Sequence, residues 1–304
     1  MDTITHILTG AVMAFPAERR LGRAGVAAPI LGSFAPDVDL ILQPIDHEIY
    51  FQYHRVITNS IVGMAVMPLL VAWLVWRIYG RRGFLPIWAL TQLAYCTHVF
   101  MDLTNSYGCK LLWPFSGQWQ SLDLVSIVDP FITGLMIVSI LLMALKVRQA
   151  PVVASCFVLL IAYWGGLMYL HGRALDLFRA GEPQAVKVAA TPARFDPSVW
   201  RMVAETPERF DMGSYDLRSG AWQERYSLPK QTVEPTCMKA LTATSAKAFM
   251  DFARFPYMRC ERDGNGWLVR VQDLRFSHGK GDSRFVDTVR VGDNGTVEDK
   301  GFKY

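Results

Sequence analysis

No run of basic residues longer than a pair occurs in the 304-residue chain, and the net charge is only +4. That excludes the electrostatic footprint of a nucleic-acid-binding protein. Cysteine is sparse. The five present form no Cys-x-x-Cys pair and no disulfide scaffold. Cys96 and Cys156 sit inside apolar runs and read as packing thiols. A cleavable signal peptide is also missing: Asp2 makes the start acidic and no small-residue cleavage site follows, so the first apolar segments are expected to be kept. There is no internal repeat and no low-complexity stretch. Apolar residues are what is plentiful, at 51%. They concentrate before about residue 171, and the remainder is polar with mixed charge. The sequence therefore predicts an α-helical multi-pass membrane domain over 1–171 and a smaller α+β soluble domain over 172–304.

Within the first part, Ile4 to Phe15 is an apolar helix too short to span, followed by a polar turn from Glu18 to Arg23. Gly25 to Phe34 is a second short piece, and the two read as a half-penetrating hairpin packed against protein. Full spans are expected at Val56–Trp76, Phe84–Thr104, Ile127–Leu145 and Pro151–Leu170. The turns at 18–23, 77–82 and 146–148 hold eight Lys and Arg, whereas the loops of the other face hold two, Arg55 and Lys110. The positive-inside rule makes the first set cytoplasmic. The soluble domain then lies on the extracytoplasmic side. Its strands are expected at Val199–Val203, Arg209–Leu217, Ala221–Tyr226, Trp267–Phe276 and Phe285–Val291, with one helix over Met238–Phe252 and a turn at Asp293-Asn294-Gly295. Cys237 and Cys260 either pair in that oxidising space or stay as two thiols.

The other face also receives His6, Asp37, Asp39, His54, His98 and Asp102, at alternate ends of successive segments. His98 and Asp102 are one helical turn apart, on one face of an apolar helix. A carboxylate there needs a partner or a cation. Asp37 and Asp39, after Pro36, are expected in an extended turn that points both toward one ion. Imidazoles and carboxylates together suit zinc, with manganese or iron as alternatives, and a metal-activated water suits a phosphoester. Asp39, Arg55 and Asp102 are the candidate catalytic residues, with Arg55 placed to grip a phosphate. His47 reads as a surface histidine, and His171 and His278 are left out of the set. Asp129, before Pro130, reads as a helix-start residue.

Four elements occur in order: Asp2-x-x-Thr5-His6, Gly32-x-x-x-Pro36-Asp37-x-Asp39, His54-Arg55-x-x-Thr58-x-Ser60 and His98-x-x-x-Asp102-x-x-Thr104. Together they resemble the YdjM-like family of membrane-bound metal-dependent hydrolases over about the first 170 residues. The strand region after them is similar to the extra domain of longer members. The resemblance implies a multi-pass inner-membrane protein with a metal site and hydrolase activity. A looser similarity to zinc-dependent phospholipase C sites points to phosphoesters. One position departs from the family pattern: Asn59 stands where a histidine is usual, so it is expected as an oxygen ligand or a donor to a ligand, with Asp123 as a replacement acid.

The expectation is a hydrolase of a lipid or lipid-linked phosphoester, integral to the inner membrane. The alternative is a non-catalytic scaffold held by its metal. A metal transporter is the third reading. It is disfavoured because the last two spans carry no charge apart from Asp129 at an edge.

Overall fold

Asp2 starts the first helix: its carboxylate accepts the Thr5 amide at 3.0 Å, an N-cap bond, and α1 (Thr3–Leu21) runs on to a break at Gly22. The structure is a computed structural model that describes residues 1–79, 83–193, 195–231, 233–278, 282–283 and 285–303. α1 is longer than the Ile4–Phe15 piece expected. Glu18, Arg19 and Arg20 favour helix and continue it past Pro16. α2 (Arg23–Phe34) does not stop at Pro36 but tightens into a 3-10 segment, Ala35–Leu42. Arg23–Leu42 thereby reaches 20 residues, long and apolar enough to cross a membrane, where half of a hairpin was expected.

A short helix follows, α3 (His47–Tyr53), and then α4 (Ile61–Tyr79), α5 (Phe84–Thr104), α6 (Pro130–Ala144) and α7 (Gln149–Gly181). Among the described residues four helices have the length and composition of a membrane span: Arg23–Leu42, Ile61–Tyr79, Phe84–Thr104 and Gln149–Gly181. α6 is apolar but has only 15 residues, shorter than the expected Ile127–Leu145. Its start is fixed by Asp129, whose carboxylate accepts the amides of Phe131 at 2.9 Å and Ile132 at 3.1 Å. Arg81 and Arg82, counted in the charge argument, lie outside the described residues.

The chain divides into two compact units. The first takes in Met1–Ile41 and Tyr53–Tyr169, and the second takes in Leu42–Gln52, Leu170–Ala193 and Ser198–Tyr304. In the first unit α2 packs on α1, α4 and α5. The Ala24, Ala28, Ala72, Val75 and Ile87 side chains form one buried cluster between α2, α4 and α5. At Gly32 the backbone of α2 lies close against α5 at Thr91. A Cβ there would stand 2.7 Å from the Thr91 carbonyl oxygen, so only glycine fits without a shift. Elsewhere α4 and α7 expose large apolar side chains such as Leu70, Trp73, Val158 and Ile161. Such a surface suits lipid rather than water.

The second unit holds two four-stranded sheets. One has the order β1 (Lys187–Ala193), β2 (Asp196–Glu205), β3 (Arg209–Asp216), β4 (Ala221–Pro229). A short helix α8 (Pro235–Met238), a 3-10 turn and α9 (Thr244–Phe252) follow, so the single helix expected over Met238–Phe252 is broken into pieces. The other sheet comprises β5 (Pro256–Arg262), β6 (Gly266–Asp273), β9 (Val286–Gly292) and β10 (Val297–Lys303) in the order β10-β9-β6-β5, with the two-residue strands β7 (Ser277–His278) and β8 (Asp282–Ser283) paired to each other. β1, β5 and β10 were not anticipated from the sequence. On β2, Trp200, Met202 and Ala204 pack with Phe178 of α7. Val203 packs with Phe210, Phe255 and Leu274. Residues on both faces of that strand are buried, with Arg201 half-buried between Trp200 and Met202. Cys237 and Cys260 are joined by a disulfide.

Candidate metal centre

The Asp2 cap that starts α1 also accepts the Thr5 hydroxyl at 2.6 Å. This pins the first turn and places His6 inward, fully buried. Asp37 comes from the 3-10 segment after α2, and the Thr3 hydroxyl donates to its Oδ2 at 2.7 Å. His98 and Asp102 come from one face of α5. One donor atom from each of His6, Asp37 and His98 lies within 4.8 Å of the others, a spacing that can hold a metal ion.

His98 decides how the cluster is wired. Its Nδ1 lies 2.6 Å from the Ser33 carbonyl oxygen. A carbonyl only accepts, so Nδ1 carries the hydrogen and donates it. The Nε2 lone pair then faces the cluster, 3.2 Å from Asp102 Oδ2 and 3.5 Å from Asp37 Oδ1. A lone pair facing two carboxylates is repulsive unless a proton or a cation stands between them. His6 stacks on His98 with ring centroids 3.6 Å apart. Its Nε2 is 3.2 Å from Asp102 Oδ1, and its Nδ1 is buried without a partner. That orphaned nitrogen, with two imidazoles and a carboxylate converging, fits a borderline divalent ion.

Asp102 is fully buried and dense with N–H donors. Arg55 Nη2 reaches its Oδ1 at 2.8 Å, the Met1 amine pairs with the same oxygen, and Asn59 Nδ2 donates to Oδ2 at 2.7 Å. Asn59 therefore acts here as a donor to a carboxylate. Arg55 also donates to the Met1 carbonyl at 2.9 Å and to Asn105 at 3.3 Å, and lies over the Tyr107 ring. Its Nε is buried without a partner.

The six expected donors do not share one centre. Asp39 faces His54, whose Nδ1 is 3.1 Å from both of its oxygens, and it accepts the Arg55 amide at 3.3 Å. The extended turn expected at Pro36–Asp39 is a 3-10 helix. With about three residues per turn, positions two apart point roughly 240° from each other. Asp37 and Asp39 thus face different partners. Asp123 accepts the Ser121 hydroxyl at 2.7 Å. His171 meets the Ala190 carbonyl at 3.1 Å in the second unit. The side chains of His47 and His278 lie outside the described residues. Sequence reading missed Thr3, Ser33 and Asn105. Of these only Ser33 carried a signal, the glycine before it, which lets α2 approach α5.

The model of a family described as the YdjM inner membrane protein matches residues 1–174. The chain belongs to that family. It is thus a multi-pass protein of the inner membrane. The match contains every donor described above and ends before the first sheet. Beyond it, the likeness to the uncharacterized protein YfhP of Bacillus subtilis (strain 168) runs over both units: 26% identity over 310 residues, covering 98% of this chain and 93% of that one. No solved structure matches.

Proposed function

We propose that this YdjM-family protein is a metal-dependent hydrolase of a lipid or lipid-linked phosphoester, with its metal site and second unit on the extracytoplasmic face. The observation that carries the reading is the His98 ring, held by the Ser33 carbonyl so that Nε2 is presented to Asp37 and Asp102. His6, Asp37 and His98 would hold the ion, zinc in first place, with manganese or iron also suited to these donors. Such an ion, when bound, lowers the pKa of water and draws charge from a phosphoryl oxygen.

The remaining steps belong to the chain. Asp102 anchors Arg55 and Asn59 in place. The unpartnered Nε of Arg55 is the group to donate to a phosphoryl oxygen. His54 is oriented by Asp39 and is more open than the buried donors, so it is the residue to take up or return a proton. Arg19, Arg20, Arg23, Arg77, Lys146 and Arg148 support the sidedness, since among the described residues they lie at the helix ends opposite the donors.

One observation favours a second reading. The three donors come from α1, the segment after α2, and α5, so an ion would also cross-link three elements without any chemistry. The test is the metal content of full-length, detergent-purified wild type, Asp37→Asn and His98→Gln, by elemental mass spectrometry, with phosphate release from phospholipid and isoprenoid-phosphate vesicles. Bound zinc, manganese or iron, lost in both variants together with hydrolysis, supports the enzyme. Metal without turnover, and variants that lose abundance, support the scaffold. A folded wild type that holds no metal after reconstitution overturns both.

A further inference from the structure

Among the described residues, the second unit contains a buried acid with no cation paired to it. Asp287 lies on β9 and is fully buried, and among the described residues neither carboxylate oxygen has a hydrogen-bond partner of ordinary geometry. An ionised carboxylate in that state costs several kcal/mol unless a cation reaches it.

Its surroundings are acidic and oxygen-rich. β10 pairs with β9, and the register shifts between Asp299 and Phe302, a bulge that sets Phe302 opposite Asp287. Bulges re-aim side chains. Here Asp299 is turned onto the start of α9, where it accepts the Ser245 amide at 3.1 Å and the Ser245 hydroxyl at 2.5 Å. It also accepts the Gly301 amide at 3.0 Å. The one Ser245 hydroxyl proton is therefore committed to Asp299, and what the Ser245 hydroxyl and the Thr288 amide offer Asp287 is weaker than the cost of its burial. Glu48 of α3 arrives from the other side: its Oε1 lies 3.3 Å from where a Cβ on Gly301 would be. Asp46 is held as the cap of α3 through the amides of Glu48 and Ile49, and its charge adds to that of Asp299 in raising Glu48. Burial pushes the Asp287 carboxyl up to about 6, with Asp299 and Glu48 adding to the shift. Burial and Asp299 likewise raise Glu48. These three carboxylates feel one another's charge.

We propose that Glu48, Asp287 and Asp299, with the Ser245 hydroxyl oxygen, form a calcium site separate from the His/Asp centre. The donors are all hard oxygens, with no imidazole or thiolate. That set suits calcium, which takes six to eight oxygens in flexible geometry, better than zinc or iron. Magnesium requires a stricter octahedron and holds its waters. The carboxylates are not already closed on a centre, since the one group of His, Cys, Asp and Glu donors within 4.8 Å of each other among the described residues is in the first unit. Calcium binding is thus the event that gathers them, drawing α3 onto β9 and β10. A site that must be gathered is weak, with a Kd of ~10⁻⁴–10⁻³ M, as in extracellular calcium modules.

The experiment titrates CaCl2 into full-length, detergent-purified protein freed of calcium with EGTA, by calorimetry and by thermal unfolding. Wild type should take up one equivalent and gain Tm. Asp287→Asn and Asp299→Asn should lose at least tenfold in affinity, and His98→Gln should keep it. In EGTA, Asp287→Asn should unfold at or above the wild-type temperature, because it removes an unpaired charge. This separates lost binding from misfolding. Two results overturn the proposal: no calcium response in wild type up to about ten times that Kd, or a response abolished by His98→Gln and spared by Asp287→Asn. In the first case a proton alone neutralises Asp287. In the second the calcium sits in the first unit.

Discussion

Gly32→Ala tests whether the contact between α2 and α5 is what aims His98. The added Cβ would stand 2.7 Å from the Thr91 carbonyl oxygen and 3.1 Å from its Cγ2, whereas ordinary contact begins at 3.4 Å. The helices must part by about 0.7 Å. Along the line from Ser33 to His98, that stretches the 2.6 Å bond to about 3.3 Å, the outer edge of a useful hydrogen bond. Two terms act on stability. Overpacking costs about 1–3 kcal/mol. Alanine in place of glycine inside a helix returns about 1 kcal/mol. The net loss is about 0–2 kcal/mol, so the variant folds. Metal affinity is the sensitive quantity, because loosening the group that orients a ligating histidine costs about 10–100-fold. Chelator competition on detergent-purified protein, followed by elemental mass spectrometry, reads it directly. Ser33→Ala keeps the carbonyl and should match wild type. If Gly32→Ala instead holds metal as tightly as wild type, the Ser33 carbonyl does not set the tautomer and the argument fails.

Phe51→Ala should cost the second unit about 3–5 kcal/mol. Its ring is buried and lies 4.1 Å from Phe302, 5.6 Å from Phe285 and 5.7 Å from Phe252. Near-UV circular dichroism on heating reads the loss, and an unchanged transition would mean that Leu42–Gln52 is not part of that core. In calcium-free buffer, stability should fall as pH rises from about 4 to 6. Asp287 is raised from the usual 3.8 to about 6, so in that window the folded state keeps a proton the unfolded state has released. The drop is on the order of 2–3 kcal/mol at about 1.4 kcal/mol per unit. Asp287→Asn should flatten it in chemical-denaturation profiles taken at each pH, and an identical slope in the variant would refute the assignment.

The apolar runs gave away α4, α5 and α7 because their composition alone demands lipid or core. Arg23–Leu42 was hidden by its own punctuation: Pro29, Gly32 and Pro36 look like breakers, yet the chain passes through them as helix and then 3-10 turns. The donors of the candidate centre were legible as residue types at helix ends. Their grouping was not. Whether Asp37 and Asp39 face one ion or two partners depends on three versus two residues per repeat, a choice that four letters do not fix. Asn59 looked like a missing ligand because its value lies in the Asp102 carboxylate 43 positions away. β10 escaped notice because it is an edge strand with charged Glu298, Asp299 and Lys300, the composition that discourages edge pairing. Phe51 carried no local sign that its neighbours are Phe249, Phe285 and Phe302.

The routing of Leu42–Gln52 into the second unit has a consequence for biosynthesis. Phe51 leaves the ribosome long before Phe302, its nearest ring partner, exists. At about 5–20 residues per second the gap is on the order of 10–50 s. Throughout that interval the segment stands without its core while the helices on either side of it are being inserted. The second unit is therefore not a cassette that can be appended, exchanged or trimmed at the end of α7. A chain cut there keeps the loop and its buried aromatic but not the strands that cover it, and a domain swap within the family has to carry residues 42–52 along with residues 170–304.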